Sequence, residues 1–466
     1  MEGGVAGVCE PAGYCSFTDP GCPGGRRFEP NAGDGLAGAC IAPPDAGLDA
    51  PPDAPICGKV GEACCATGAA CTTTNGVCVQ GSCQTCVTQI ALGRRHSCAI
   101  LHDGTVRCAG ENTDGQLGNG MTSMMPTATP VEPMVGQAVL ADAVQLSAGR
   151  THTCAVRADK TVWCWGDNGA GQLGDGTTTQ ATTAIQVMTS PGKPLADIVE
   201  VGTSDQFTCA RDTTGGVWCW GANFSGMLGD GTTTSHPFAA PVLVAPAGAA
   251  FTGATSLTLG SSHVCATVTG NSAVCWGSNN GGSVGDGTTM PRPNPVTVAF
   301  GEPIKSIAAG RYQTCGVGFT GAVKCWGQGF YFRLGVSTDP LTQTTNASMP
   351  MPVLLPGGAP VTNGATVALA ALSCVVTTDH RAACWGENQY GQTGTGGGNG
   401  LPLPVLDPVL GGPLEGIDHI TAHYAHACAS MIDGRVLCWG RGSEGELMDP
   451  TMTNRGLATA LPLTCP

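Results

Sequence analysis

Between residues 98 and 438 the cysteines fall into seven pairs: Cys98/Cys108, Cys154/Cys164, Cys209/Cys219, Cys265/Cys275, Cys315/Cys325, Cys374/Cys384 and Cys428/Cys438. The members of every pair lie ten positions apart, and first members follow one another at steps of 56, 55, 56, 50, 59 and 54 residues. A period of that size marks a repeat architecture, in which each unit buries its apolar surface against its neighbours. In Cys98-Ala-Ile-Leu-His-Asp-Gly-Thr-Val-Arg-Cys108, two short β-prone runs flank Asp103-Gly104, a hairpin signal. With a three-residue loop, His102 to Gly104, Leu101 faces Thr105 and Cys98 faces Cys108. The last loop position must then be left-handed. It is occupied by Gly104, Lys160, Gly215, Asn271, Gly321, His380 and Gly434, mostly the Gly and Asn that this conformation prefers. Directly opposed residues on antiparallel strands sit ~4.5–5.5 Å apart, within disulfide reach. Each unit is therefore expected to carry its own cross-strand disulfide.

Six second cysteines are followed by Trp-Gly, at Trp165, Trp220, Trp276, Trp326, Trp385 and Trp439, whereas Cys108 is followed by Ala109-Gly110. A loop then ends in a Gly-Gln-Leu-Gly-like turn at 115–118, 171–174, 226–229, 282–285 and 391–394. Units five and seven carry decayed versions, Phe332-Arg-Leu-Gly335 and Gly445-Glu-Leu-Met448. The fixed place of the Trp predicts wedges filling the gap between neighbouring sheets rather than a ligand-stacking platform. Seven units of about 55 residues, each with a hairpin and room for two more strands, predict an all-β, seven-bladed β-propeller. An open β-solenoid fits less well, since its coils are shorter and carry no hairpin. The 72 Gly and the charged fraction of 12% exclude a helical bundle or coiled coil.

These residues resemble the regulator of chromosome condensation repeat family, whose repeat runs Gly-x-x-His-Ser/Thr-x-Ala, Asp-Gly, Val-x-x-Trp-Gly-x-Asn, Gly-Gln-Leu-Gly. Gly149-Arg-Thr-His-Thr-Cys-Ala155, Trp165-Gly-Asp-Asn168 and Gly171 to Gly174 form a near-complete copy, and 93–99, 260–266 and 310–315 repeat its first half. The resemblance covers about residues 88–464 and implies a seven-bladed propeller. It implies little about activity, because blades are scaffold and loops carry specificity. Light sensing, as in the plant ultraviolet-B photoreceptor of this family, uses additional Trp beside the Gly-x-x-His segment. This chain has Arg94, Arg95, Arg150 and Arg311 there.

The first part of the chain reads differently. Cys9, Cys15, Cys22 and Cys40 form a loose cluster in 1–41, the Pro/Asp/Ala run 42–55 reads as an extended linker, and 56–87 is a compact Cys-rich knot, leaving 88–466 for the propeller. This small, disulfide-rich, loop-dominated N-terminal region loosely resembles stalks of bacterial surface proteins. In the knot Cys83-x-x-Cys86 matches a redox motif, but no βαβ setting lowers a thiol pKa, so it reads as structural. Closing a propeller should bring the chain ends into one blade, so Cys465 is expected to bond Cys83 or Cys86. The 26 Cys point to an oxidising compartment, extracellular or cell envelope, although 1–8 show no secretion signal. The longest apolar run, 364–376, is shorter than the ~20 residues of a membrane helix and reads as buried strand.

Candidate chemistry is sparse. His96, His152, His263 and His426 recur two places before a first cysteine, but Phe207, Gln313 and Leu372 stand there elsewhere. Structural hydrogen bonding is expected rather than a metal ring. His419, His423 and His426 cluster on an inner strand and turn, not on a helix face. The ten-residue Cys spacing does not suit zinc. Asp175-Gly176, Asp230-Gly231 and Asp286-Gly287 lack the alternating carboxylates of a calcium loop and read as turns. Gly396 to Gly400 is a loop without the Lys-Ser/Thr of a phosphate cradle.

No metal, cofactor or catalytic residue is expected. A net charge of −14 disfavours nucleic acid and anionic membranes. The sequence predicts an exported, monomeric, non-enzymatic bacterial binding protein whose ligand is a protein or glycan. Its binding loops would come mainly from the inserts 119–145, 175–199, 230–257, 286–304, 336–368 and 395–419, on one face. Two alternatives are guanine nucleotide exchange on a small GTPase, the best-known family role, and a propeller lyase or glycosidase.

Overall fold

The computed structural model describes residues 87–461 except 340–343 and 398–399, together with five short strands among the first 86 residues. Of those five, Val8–Cys9, Cys15–Thr18 and Arg26–Phe28 form one antiparallel sheet, and Gly76–Val79 pairs with Ser82–Thr85. The bond predicted for Cys465 lies outside the described residues.

From residue 87 onward the chain builds seven four-stranded antiparallel sheets, each pairing its strands in sequence order. Blade 1 comprises Val87–Leu92, His96–Leu101, Val106–Asn112 and Ser123–Val131; blades 2 to 7 span 143–186, 198–241, 254–297, 304–352, 364–404 and 417–460. The protein is a seven-bladed β-propeller. The first strands of all seven blades line one central channel of about 580 Å³.

The hairpin between second and third strands sets the register. Leu101 N–H donates to the Thr105 carbonyl, and Cys98 lies opposite Cys108. All seven last loop residues are left-handed, including Lys160 (φ 63°), Asn271 (φ 60°) and His380 (φ 59°). In six blades this residue's carbonyl accepts the amide of the next blade's opening strand, as Gly104 does from Ala143 at 3.1 Å and Asn271 from Ile304 at 2.7 Å. The turn conformation therefore joins blades as well as strands.

The same register repeats in every blade and opposes Cys154 to Cys164, Cys209 to Cys219, Cys265 to Cys275, Cys315 to Cys325, Cys374 to Cys384 and Cys428 to Cys438. All seven opposed pairs, Cys98 with Cys108 included, are disulfide-bonded with Cα atoms 4.1 Å apart. That separation is shorter than the ~4.5–5.5 Å expected of opposed residues in general. Counting from the hydrogen-bonded pair Leu101 and Thr105 puts the cysteines at a non-hydrogen-bonded site, the closer of the two kinds. No cysteine is free among the described residues.

The apolar core is divided among the gaps between blades. One cluster joins Val156 and Val162 of blade 2 to Val201 and Trp220 of blade 3, and another joins Val317 and Val323 of blade 5 to Val375 and Trp385 of blade 6. The six Trp are fully buried in these gaps. Each indole N–H donates to a carbonyl in the preceding blade's Gly-Gln-Leu-Gly loop, as Trp165 does to Gln116 at 2.9 Å and Trp439 to Gln392 at 2.8 Å. The last glycine of that loop makes room for the ring: a Cβ on Gly118 would lie 2.8 Å from Trp165.

Blades 7 and 1 close the ring through side chains. Ser97 Oγ and His426 Nε2 are 3.1 Å apart, and Arg441 donates to the Arg94 carbonyl at 2.8 Å. This corrects the expectation that the chain ends share a blade. Every repeat supplies four consecutive strands, so blade 1 ends at Val131 and blade 7 begins at Ile417, with no exchanged strand among the described residues.

Candidate functional site

At one end of the channel, the turn between first and second strands puts one side chain from each blade around the opening. The ring reads Arg94, Arg150, Asp205, Ser261, Arg311, Ala371 and Tyr424, and it surrounds a cavity of about 210 Å³ continuous with the channel. Backbone bonding fixes where these side chains start. The amides of Arg94, Arg150, Ser261 and Arg311 donate to the Gly149, Ser204, Gly310 and Ala370 carbonyls of the following blades, at 3.1, 3.2, 3.3 and 3.2 Å. That approach requires a residue without Cβ, since one on Gly149 would lie 2.3 Å from the Ser204 carbonyl oxygen.

Beneath the ring, in four of the seven blades, lies the recurrent histidine. His96, His152 and His263 each place Nε2 2.8–2.9 Å from a threonine hydroxyl of the next blade: Thr153, Thr208 and Thr314. Those hydroxyls donate onward to the Gln116, Gln172 and Ser283 carbonyls. A hydroxyl that donates to a carbonyl must accept from the imidazole, so Nε2 carries the proton. Burial disfavours the charged ring and pulls His96 from 6.5 to about 3, and His152 and His263 to about 4. The remaining lone pair, on Nδ1, is enclosed against the turn glycine, where a Cβ on Gly93 would be 2.5 Å from His96 Nδ1. The sequence predicts structural hydrogen bonding here; the partners lie in the next blade, so these histidines couple blades. Gln313 does the same work in blade 5, donating to the Ala370 carbonyl at 2.8 Å.

Around the ring, arginine and tyrosine interleave. The Arg94, Arg311 and Arg441 guanidinium carbons lie 4.8, 5.5 and 5.8 Å from the Tyr424 ring centre. Ala371, in the blade between Arg311 and Tyr424, leaves the path open. Arg311 also lies over Tyr312, Arg333 over Tyr331 and Arg441 over Tyr390. Four of the chain's five Tyr thus sit at this end. The deeper arginines are neutralised, Arg333 by Glu387 at 3.1 Å and Arg441 by Glu446 at 2.6 Å. Arg94, Arg150 and Arg311 make no ion pair among the described residues, and Arg94 Nε is buried without an acceptor.

The remaining sequence candidates are structural. Asp175, Asp230 and Asp286 accept from the backbone amide and hydroxyl of the Thr two residues on, and from Asn168, Asn223 and Asn279. Asn168, Asn223 and Asn279 in turn accept from the loop's Leu173, Leu228 and Val284 amides, so Asp and Asn close that loop together. The Cys83-x-x-Cys86 pairing and part of the Gly396 to Gly400 loop lie outside the described residues. The inserts named as binding loops are in large part outer strand, for example Ala181–Gln186 within 175–199 and His236–Pro241 within 230–257. Each also runs from the arginine end of its blade to the opposite end, so the inserts do not gather on one face. Sequence reading noted Arg94, Arg150 and Arg311 but missed Asp205, Ser261 and Tyr424. Comparing that single position across all seven repeats would have found them.

The molecule is thus a closed, disulfide-braced repeat propeller with an arginine-lined channel mouth. Two forms of the regulator of chromosome condensation (RCC1) repeat match the chain, one at residues 87–116, 143–172, 198–226 and 417–446, the other at 103–156, 159–211, 214–267 and 275–317. The chain belongs to the RCC1-repeat family. It is 27% identical over 374 residues to the ultraviolet-B receptor UVR8 of Arabidopsis thaliana, covering 77% of this chain and 78% of that protein. It is 28% identical over 353 residues to the E3 ubiquitin-protein ligase HERC2 of Mus musculus, covering 74% of this chain but 7% of that protein. The fold is shared with yeast RCC1 (Prp20), seen bound to Kap60, at 18% identity and a TM-score of 0.61 over 80% of this chain and 84% of that one.

Proposed function

We propose that this protein is an exported, non-enzymatic recognition protein whose propeller works as a rigid binding platform. The observation that carries the reading is the disulfide in every blade, each joining directly opposed strands in a buried position. Such bonds persist in oxidising compartments and are rare in the cytosol. They add to the backbone bonds between blades, so groups displayed at the channel mouth lose little freedom on binding. A binding role is favoured over glycoside hydrolysis because that chemistry uses two carboxyl groups, whereas Asp205 is the one carboxylate lining the mouth among the described residues. Exchange on a cytosolic GTPase finds no support in a chain built around buried disulfides.

Thiol titration of the denatured, unreduced protein tests export. Near-zero free thiol among the 26 Cys is expected, and many free thiols would overturn the reading. Screening the folded protein on glycan and peptide arrays tests recognition.

A further inference from the structure

We infer that the channel mouth is a binding site for an oxyanion — a carboxylate, sulfate or phosphate group — held between Arg94, Arg150 and Arg311. The charge around the cavity is the first ground. Three guanidinium groups and one carboxylate, Asp205, line it together with a histidine, His423, that burial keeps neutral. That leaves a local charge of about +2 in a chain whose net charge is −14.

The pairing pattern is the second ground. Elsewhere on the propeller arginines meet carboxylates closely: Arg157 with Asp142 at 2.7 Å, Arg211 with Glu200 at 2.7 Å, and Arg333 and Arg441 just below the mouth with their glutamates. Arg94, Arg150 and Arg311 depart from this habit, and the buried Arg94 Nε lacks any acceptor. A buried donor left unmade costs free energy unless a ligand supplies the acceptor. Arginine suits that task because its planar fork matches a carboxylate, sulfate or phosphate bidentately.

Geometry is the third. Arg94 and Arg311 come from blades 1 and 5 to the same Tyr424 ring, which helps hold both heads in place, and the Tyr312 side chain hydrogen-bonds Arg311 as well. Backbone bonds to the following blades fix all three arginine turns. The Ser261 side chain adds a hydroxyl to the lining, whereas the Ser204 hydroxyl is committed to the Gly260 carbonyl at 2.6 Å. A cavity of about 210 Å³ admits a small acid or one charged sugar, and not a folded partner.

This specifies the ligand class of the recognition reading, and its test is independent of export. Isothermal titration calorimetry on the full oxidised chain would use citrate, inorganic phosphate, inorganic sulfate and a sulfated tetrasaccharide, each at constant ionic strength set with chloride. Saturable one-to-one binding of at least one of these is expected. Arg150→Gln and Arg311→Gln should each weaken it tenfold or more, while Arg157→Gln, at the far end of its blade, leaves it unchanged. Asp205→Asn should tighten it several-fold, a gain that a merely structural role for the ring does not produce. If the tetrasaccharide binds far more tightly than free anions, the group is recognised on a saccharide; equal affinities identify a free anion. Absence of saturable binding to all four probes, or retention of full affinity by Arg150→Gln and Arg311→Gln, overturns the inference. It fails without touching the thiol count on which the export reading stands.

Discussion

Met448 and Ala109 are the two residues that depart from the repeat across a single blade junction, and they are expected to compensate for each other. At six junctions a Trp follows the second cysteine and packs against a loop-ending Gly of the preceding blade; a Cβ on Gly174, Gly229, Gly285, Gly335 or Gly394 would lie 2.5–2.8 Å from that ring. At the junction of blade 7 with blade 1 the Trp position is Ala109 and the Gly position is Met448. Both are buried, at 0% and 1% exposure, and Met448 keeps the left-handed φ of 55° that glycine adopts elsewhere. The Met side chain is therefore expected to take the indole's volume from the other side of the gap. Met448→Gly should cost about 3 kcal/mol, from a cavity worth roughly 2–5 kcal/mol, offset by about 1 kcal/mol of relieved left-handed strain. Ala109→Trp alone should cost about 3 kcal/mol by overpacking against Met448. Together the two changes rebuild the arrangement of the other six junctions, with the Glu446 carbonyl placed to accept the indole N–H as Gln116 does from Trp165. A favourable coupling of about 3 kcal/mol is expected, at the upper end for residues in contact. The four proteins of this cycle would be compared by circular dichroism in guanidinium under non-reducing conditions. If the double variant loses stability equal to the sum of the singles, or if Ala109→Trp costs nothing by itself, the two positions do not share one space and the reasoning fails.

Three further expectations concern the braces and the loops. Replacing Cys265 and Cys275 together by Ala should cost about 3 kcal/mol by the chain-entropy argument for so short a loop. Because both sulfurs are buried, reductant alone should leave the native protein's disulfides intact until denaturant opens the blades, read by alkylation and mass spectrometry. The buried histidines set an acid limit: folded values of about 3 to 4 lie below the unfolded 6.5, so the unfolded chain binds more protons in that window. Stability should therefore fall as pH drops from about 6.5 toward 4. His263→Gln, which imitates Gln313, should make the melting temperature less steep in pH over that window; an unchanged slope would refute the assignment. Finally, Asn168→Ala should cost roughly 2–4 kcal/mol, since it strands the Leu173 amide and removes donors to Asp175 and Thr177, and denaturant titration measures this directly.

The fold was legible because its period is written in cysteine, and because a hairpin loop of fixed length forces opposed residues together. Counting out from His102 to Gly104 is enough to place Cys98 against Cys108. The left-handed loop position was equally readable where Gly or Asn fills it. At Lys160 and His380 the chemistry of the residue gave no hint, and the conformation is imposed by the amides of Ile198 and Ile417, which require the carbonyl in that place. Ring closure was misjudged for a related reason. Strand count and spacing are unchanged whether blade boundaries fall within or between repeats, and the deciding contacts, such as Ser97 with His426, join residues more than three hundred positions apart.

The candidate site was illegible for the opposite reason, and this bears on how repeat proteins carry function. The positions that recur in most or all repeats are those the scaffold needs: the cysteines in all seven, the Trp and the loop-ending Gly in six, and the closing Asn in five. A position used for binding is released from that constraint, because each blade shows it to the channel at a different angle and only one combination has to work. This turn residue behaves this way, with Arg in three blades and Asp, Ser, Ala and Tyr in the others, although in five blades its amide is bonded to the following blade. Ala371 illustrates the point. Read along the chain it is an unremarkable residue, yet its small size in blade 6 gives Arg311 a path to the Tyr424 ring, which Arg94 of the adjoining blade 1 also reaches. The mouth's character is therefore a property of the column across the repeats rather than of any segment. Exchanging Ala371 for Leu should consequently weaken oxyanion binding while leaving the blade's disulfide and its indole bond to the Arg333 carbonyl in place. Unaltered affinity in that variant would separate Arg311 from the site.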